Sequence, residues 1–198
     1  GAVKERVPFI DYHPNTEIVK KSMLQAQCAI GTTAYALKDK NRLPFFMLMN
    51  VLGGPGMNSR LNLALREKFG FVYNVEATYH PFSDTGLFAI YFGTDGKHVK
   101  KSNSLVLKEL KKFRQVKLGS VQLHSAKEQM IGQLAMAQEN NTSLMLMMGK
   151  SILDYGKIKH LDTVFEKIRK ITTTQLLDIA NEKLLESQLS HLTFLPKD

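Results

Sequence analysis

Apolar and polar residues alternate early in the chain, where Leu24, Ala26, Cys28 and Ile30 fall on one side and Met23, Gln25, Gln27 and Ala29 on the other. A period of two puts successive side chains on opposite faces of a pleated backbone, so this stretch, opening near Lys20, predicts a strand with one buried face. After the turn-like Lys38-Asp39-Lys40-Asn41, the run Leu43 to Leu52 is apolar almost throughout and predicts a helix stopped by Gly53-Gly54-Pro55-Gly56. Asn58 or Ser59 is placed to cap a second helix, with Leu61, Leu65 and Phe69 four apart along its inner face and Gly70 ending it. Residues 71–79 and 86–94 are rich in β-branched and aromatic side chains and predict two further strands, joined through His80-Pro81-Phe82-Ser83-Asp84.

From Lys97 to Ser187 the spacing becomes helical, in segments near 97–115, 120–139, 142–156, 160–170 and 173–186, before Leu189 to Leu195 returns to strand character. Strands, then helices, then a closing strand predict an α+β fold in which helices cover one face of a mainly antiparallel sheet. Residues 1–198 are expected to form a single domain, with no internal repeat and no low-complexity linker. The Met-rich run Leu144-Met145-Leu146-Met147-Met148 has no Cys or His beside it and is expected to fill an irregular core rather than bind metal.

Composition narrows the classes. No stretch approaches eighteen consecutive apolar residues, and no charged segment followed by an apolar run and a small-residue cleavage site opens the chain, so neither a membrane span nor a membrane partner is expected. The opening Gly-Ala-Val lacks an initiator Met, as expected of a piece of a longer polypeptide. Cys28 is the single cysteine and cannot form an internal disulfide; it is expected to be structural, and it is compatible with a reducing cytosol, the compartment favoured here. Twenty-seven basic against eighteen acidic residues give a net charge of +9, which raises nucleic-acid binding. The densest basic stretch, Lys97 to Lys117, nevertheless carries Val99, Val106, Leu110 and Phe113 at helical steps, with its lysines mostly elsewhere on the wheel. A solvated helix face accounts for it, and no nucleic-acid partner is expected.

Catalytic patterns are mostly absent. The histidines are His13, His80, His98, His124, His160 and His191, none four positions from another. Neither His-Glu-x-x-His nor His-x-x-Glu-His occurs, so the pair of imidazoles on one helix face with an adjacent Glu is missing. A metal site from distant residues, for instance His80, Asp84 and His98, has no ligand spacing behind it. There is no Gly-x-Ser-x-Gly, no phosphate-binding glycine loop, and no second group to activate Cys28.

The informative block is residues 52–75, LGGPGMNSRLNLALREKFGFVYNV. Gly53-Gly54, Ser59-Arg60-Leu61, Leu65-Arg66-Glu67-Lys68 and Gly70 to Val75 make it similar to the C-terminal half-domains of pitrilysin/insulinase zinc metallopeptidases. Ser143 to Gly156, SLMLMMGKSILDYG, resembles that family's Met-containing helical block ending in Gly. The resemblance extends over nearly the whole chain. It implies the C-terminal, non-zinc-binding half of a longer two-domain chain, facing a zinc-bearing half-domain across a chamber that holds peptides. It also implies that Arg66 and Tyr73 match an Arg and a Tyr that reach substrate, with no departure at either position. Zinc is then expected in the partner half, and this chain is expected to hold no metal and to be inactive by itself.

Independently of the family, attack of water on a peptide carbonyl builds negative charge on oxygen, and preorganised donors aimed at that oxygen lower the barrier. Arg66 offers a charged fork of donors and Tyr73 a neutral O–H on a stiff ring. Arg60, Glu67 and Lys68 are read as ordinary surface charges. A non-enzymatic scaffold or interaction subunit of the same fold is the alternative, and a homodimer is open to either.

Overall fold

The structure is a computed structural model that describes residues 9, 11–158 and 160–197. Five strands, β1 (Thr16–Lys21), β2 (Ala26–Ala34), β3 (Val72–Pro81), β4 (Gly86–Thr94) and β5 (Ser190–Pro196), form one sheet in the order β1-β5-β2-β4-β3. The β2–β4, β2–β5 and β3–β4 pairs are antiparallel, and β1 runs parallel to β5. The helices are α1 (Arg42–Gly53), α2 (Val99–Gln115), α3 (Ser120–Met136), α4 (Asn141–Tyr155), α5 (Leu161–Arg169) and α6 (Thr173–Lys183), with a wide helical turn at Asn62–Glu67. This is the expected α+β arrangement.

Period two in the strands decides which face is covered. Ala26, Cys28, Ile30 and Ala34 of β2 and Phe88, Ile90 and Phe92 of β4 are buried, whereas Gln27, Leu87 and Tyr91 between them are exposed. The helices therefore pack on one face and leave the other open. At the centre of the packed face, Phe45 of α1 meets Tyr79, Tyr35 and Phe88 edge-on, with centroids 4.9, 5.5 and 5.9 Å away. Crossed rings at these separations align positive ring edges with negative faces. The apolar stripe of α2 lies where its spacing puts it, with Val106, Leu110 and Phe113 buried.

Several expectations need correction. The spacing does not predict β1: TEIVKK carries almost no buried side chain, and pairing with β5 rather than an apolar face makes it a strand. β2 begins at Ala26, and Leu24, expected on its buried side, is fully exposed in the preceding turn. The Met-rich run lies on the surface instead of filling the core. No residue of α4 is buried, and Met145, Leu146, Met147 and Met148 are all exposed. A helix apolar on every side asks for cover all round, but in this chain only its inner side, near Leu134 and Phe46, faces other elements.

Candidate functional site

Both residues singled out by the 52–75 block stand on irregular backbone. In the turn Asn62–Glu67 the Lys68 N–H reaches the Leu63 carbonyl, five residues back, at 3.1 Å, which makes the turn one residue wider than α-helical geometry. The widening shifts the phase of the residues after it. Leu61 and Leu65 are fully buried, but Phe69, which a strict step of four places beneath them, is 43% exposed. Neither Asn58 nor Ser59 caps the turn at its first residue; the Ser59 hydroxyl accepts from the Asn62 amide at 2.9 Å instead. Such wide turns recur at functional sites, and Arg66 projects from this one into solvent.

Gly70 ends the turn with φ of +61°, a left-handed conformation in which a β-carbon is strained. Its N–H donates to the Arg66 carbonyl at 2.9 Å, and the Phe71 N–H donates to the Leu65 carbonyl at 3.0 Å. The first is the ordinary bond of a left-handed glycine cap, and the second closes a loop one residue longer than the six-to-one bond that usually accompanies such a cap. The chain then enters β3 and meets a second irregularity. Val72 faces Thr94 and Asn74 faces Gly93, which leaves Tyr73 without an opposite residue on β4. A bulge of this kind re-aims a side chain; Tyr73 and Asn74 are exposed in succession where alternation would bury one of them.

The Tyr73 hydroxyl donates to Asp95 Oδ1 at 3.3 Å, just past the end of β4. The other carboxylate oxygen lies 3.9 Å from His98 Nδ1. The His98 ring stacks on Phe71 at 4.5 Å, and Phe71 stacks on Phe69 at 5.3 Å. A continuous run of contacts thus links the exit of the Arg66 turn to the Tyr73 hydroxyl. Sequence reasoning misses Asp95 and His98 as members of this site, although a carboxylate three residues before an imidazole at the end of a strand is visible in the chain.

Arg60 is not the solvated charge it was expected to be. Its guanidinium lies 4.3 Å over the Phe113 ring, and burial lowers its pKa, partly opposed by the Glu109 charge. Cys28 is buried in the core; burial raises its thiol pKa, with a smaller opposing effect from its hydrogen bond to Thr193, so it is poorly suited to act as a nucleophile. Among the described residues no group of three or more His, Cys, Asp or Glu could hold a metal ion, and His98 is engaged with Asp95 and Phe71. The residues present do not fit a zinc centre, and no step is assigned through a metal in this chain.

Residues 3–130 match the family described as the peptidase M16 inactive domain. The chain belongs to that family. As an M16 inactive domain it is 28% identical over 176 residues to the uncharacterized zinc protease YmxG of Bacillus subtilis, covering 89% of this chain and 43% of that protein. It is 25% identical over 183 residues to the mitochondrial-processing peptidase subunit alpha of Caenorhabditis elegans, covering 87% of this chain and 35% of that subunit. This M16 inactive domain therefore spans less than half the length of these curated relatives. The fold superposes on the crystal structure of a peptidase M16 inactive domain from Pseudomonas fluorescens with a TM-score of 0.88 at 17% identity, over 100% of this chain and 47% of that one, which is a likeness of fold. No helix among the described residues is long and apolar enough to cross a membrane.

Proposed function

We propose that this chain is the non-catalytic half of a zinc-dependent endopeptidase, the C-terminal part of a longer two-domain chain. It closes a peptide chamber opposite a zinc-bearing half-domain, in the same chain or in a separate subunit. The observation that carries this reading is that Arg66 and Tyr73 both face solvent from paired backbone irregularities, either side of a left-handed glycine, within the block the family shares. The zinc-protease name of YmxG and the peptidase-subunit name of the worm relative agree with it.

In this reading Arg66 and Tyr73 bind the substrate carbonyl and stabilise the charge that builds on its oxygen as water attacks. Tyr73 has one O–H to give. In the structure that donor is held by Asp95, so engagement of substrate exchanges the carboxylate for the developing oxyanion. Arg66 has several donors and a fixed charge, so it can hold the carbonyl before and during attack. The zinc site that this chemistry needs belongs to the partner half, and the present chain supplies donors and a wall.

The test is reconstitution with the zinc-bearing half and steady-state kinetics. Arg66→Ala and Tyr73→Phe are each expected to lower turnover by about 10²–10³-fold, the loss typical of removing one oxyanion donor, with zinc content unchanged. Unchanged kinetics for both would remove them from the reaction and leave the scaffold reading in place. Stoichiometric zinc binding together with peptide cleavage by residues 1–198 unaided would overturn the assignment altogether.

A further inference from the structure

On the helical side of the sheet, a cavity of about 600 Å³ separates α4 from α1, α3 and α5. Leu144, Met147, Met148, Ser151 and Tyr155 line it from α4, at steps of three and four that put them on one face of the helix. Phe46 of α1, Met130 and Leu134 of α3 and Val164 of α5 stand opposite. Phe46 is 42% exposed, although its neighbours Phe45 and Met47 are fully buried, because it points into this space. The Tyr155 hydroxyl donates to the Leu37 carbonyl at 3.2 Å, which pins the end of α4 beside the turn leading into Arg42. From that tether back to Leu144 the inner face of the helix runs along the cavity for roughly 16 Å, at about 1.5 Å per residue.

Size and charge say what belongs there. Protein interiors leave few voids larger than a water molecule, whereas sites for small ligands occupy roughly 300–1,000 Å³ behind mostly apolar walls. The ionisable side chains lining this cavity are Arg42, Lys150, Asp154, Tyr155 and His160. Lys150 and Asp154 are about one turn apart on the same helix and offset one another. Arg42 is half-buried and is the first residue of α1, so its guanidinium lies at the positive end of that helix. Positive charge therefore marks the end of the cavity near Tyr155, and Leu134 and Leu144 line the far end.

We propose that this cavity binds a single-chain amphipathic carboxylate, a fatty-acid-like anion, with its alkyl chain along the inner face of α4 and its carboxylate on the Arg42 guanidinium. The planar fork of Arg42 matches both oxygens of a carboxylate, and walls of methionine and leucine adapt to a flexible alkyl chain. A bound chain gives the inner face of α4 the apolar cover that its composition asks for. The site lies across the sheet from the open face and is independent of the peptidase reading, since neither Arg66 nor Tyr73 takes part.

Isothermal titration calorimetry on the whole chain tests this with laurate, hexanoate and dodecanol as probes. Laurate is expected to saturate at one molecule per chain. Dodecanol, which keeps the chain and loses the charge, should bind about tenfold more weakly, the loss of one charge-assisted contact. Hexanoate, which keeps the charge and loses half the chain, should bind at least about tenfold more weakly as well. Arg42→Gln should bring laurate down to the level of dodecanol and leave dodecanol unchanged. Ser151→Trp, which puts an indole into the cavity from the inner face of α4, should abolish uptake of both. Equal affinity for laurate and dodecanol, or no binding of laurate, would overturn the proposal on the unaltered chain, even where a variant fails to fold. Several laurates per chain, taken up equally by a folded Ser151→Trp variant, would mean adsorption on the exposed outer face of α4 and would overturn it too. A dimer in sedimentation that excludes laurate would give the cavity to a second copy of the chain instead.

Discussion

Gly70 sits between the two proposed contact residues, and its replacement by alanine isolates backbone strain from packing. No heavy atom lies within 4 Å of where a β-carbon would stand, so steric contact contributes nothing. What remains is the left-handed conformation at φ of +61°, which disfavours an L-residue by about 1–2 kcal/mol. For a chain of this size a loss of that order lowers the thermal midpoint by roughly 2–8 °C, at about 2–4 °C per kcal/mol. Urea unfolding of Gly70→Ala should show a reduced midpoint with an unchanged slope, because the surface exposed on unfolding is the same. Gly70→Asn should fall between the two, since asparagine visits this region more readily. Wild-type stability in the alanine variant would mean that the turn does not depend on a left-handed exit at Gly70. A loss beyond about 4 kcal/mol would equally refute the reasoning, since strain of this kind at one residue does not reach that size.

The core and a half-buried imidazole each supply a further expected outcome. Phe45→Ala removes a fully buried ring that touches three others edge-on and is expected to lower stability by about 3–5 kcal/mol in urea unfolding; a change under about 1 kcal/mol would refute its place at the centre of the packing. Burial depresses the His191 pKa below its ordinary 6.5, partly opposed by the Glu186 charge. The unfolded chain then binds the proton more readily, so stability is full above about pH 6.5 and is lost as pH falls through the depressed folded value. His191→Gln should flatten the pH dependence of the unfolding free energy across that interval, and an unaltered slope would contradict the assignment.

The helical layer and the central strands are legible in the sequence for different reasons: α2 carries its apolar stripe at helical steps and β2 alternates, whereas β4 is marked by its run of apolar and aromatic residues. β1 is not, because an exposed edge strand leaves no hydrophobic signature and exists through its ladder to β5. The exposed α4 shows the reverse limit, since apolar composition reports a need for cover and is silent on whether this chain supplies it. At the candidate site, residue types can be read from the 52–75 block, but their presentation cannot. The wide turn under Arg66 and the bulge at Tyr73 each depend on one extra residue accommodated by tertiary pairing, which no local spacing encodes. The same extra residue is why Phe69, correctly spaced for burial, ends on the surface.

The strand order also has a temporal side. β5 lies between β1 and β2, yet it is the last of the strands in the chain, pairing Ser190 with Gly31 and His191 with Thr16. During synthesis β3 and β4 can pair as neighbours and recruit β2, but β2 then keeps one bare edge and β1 has no strand to join. Helices α2 to α6 are all made during that wait. Bare edges on nascent chains invite pairing with other chains, and sheets closed by such distant segments assemble slowly. The arrival of β5 therefore decides when this sheet stops being a hazard to its neighbours.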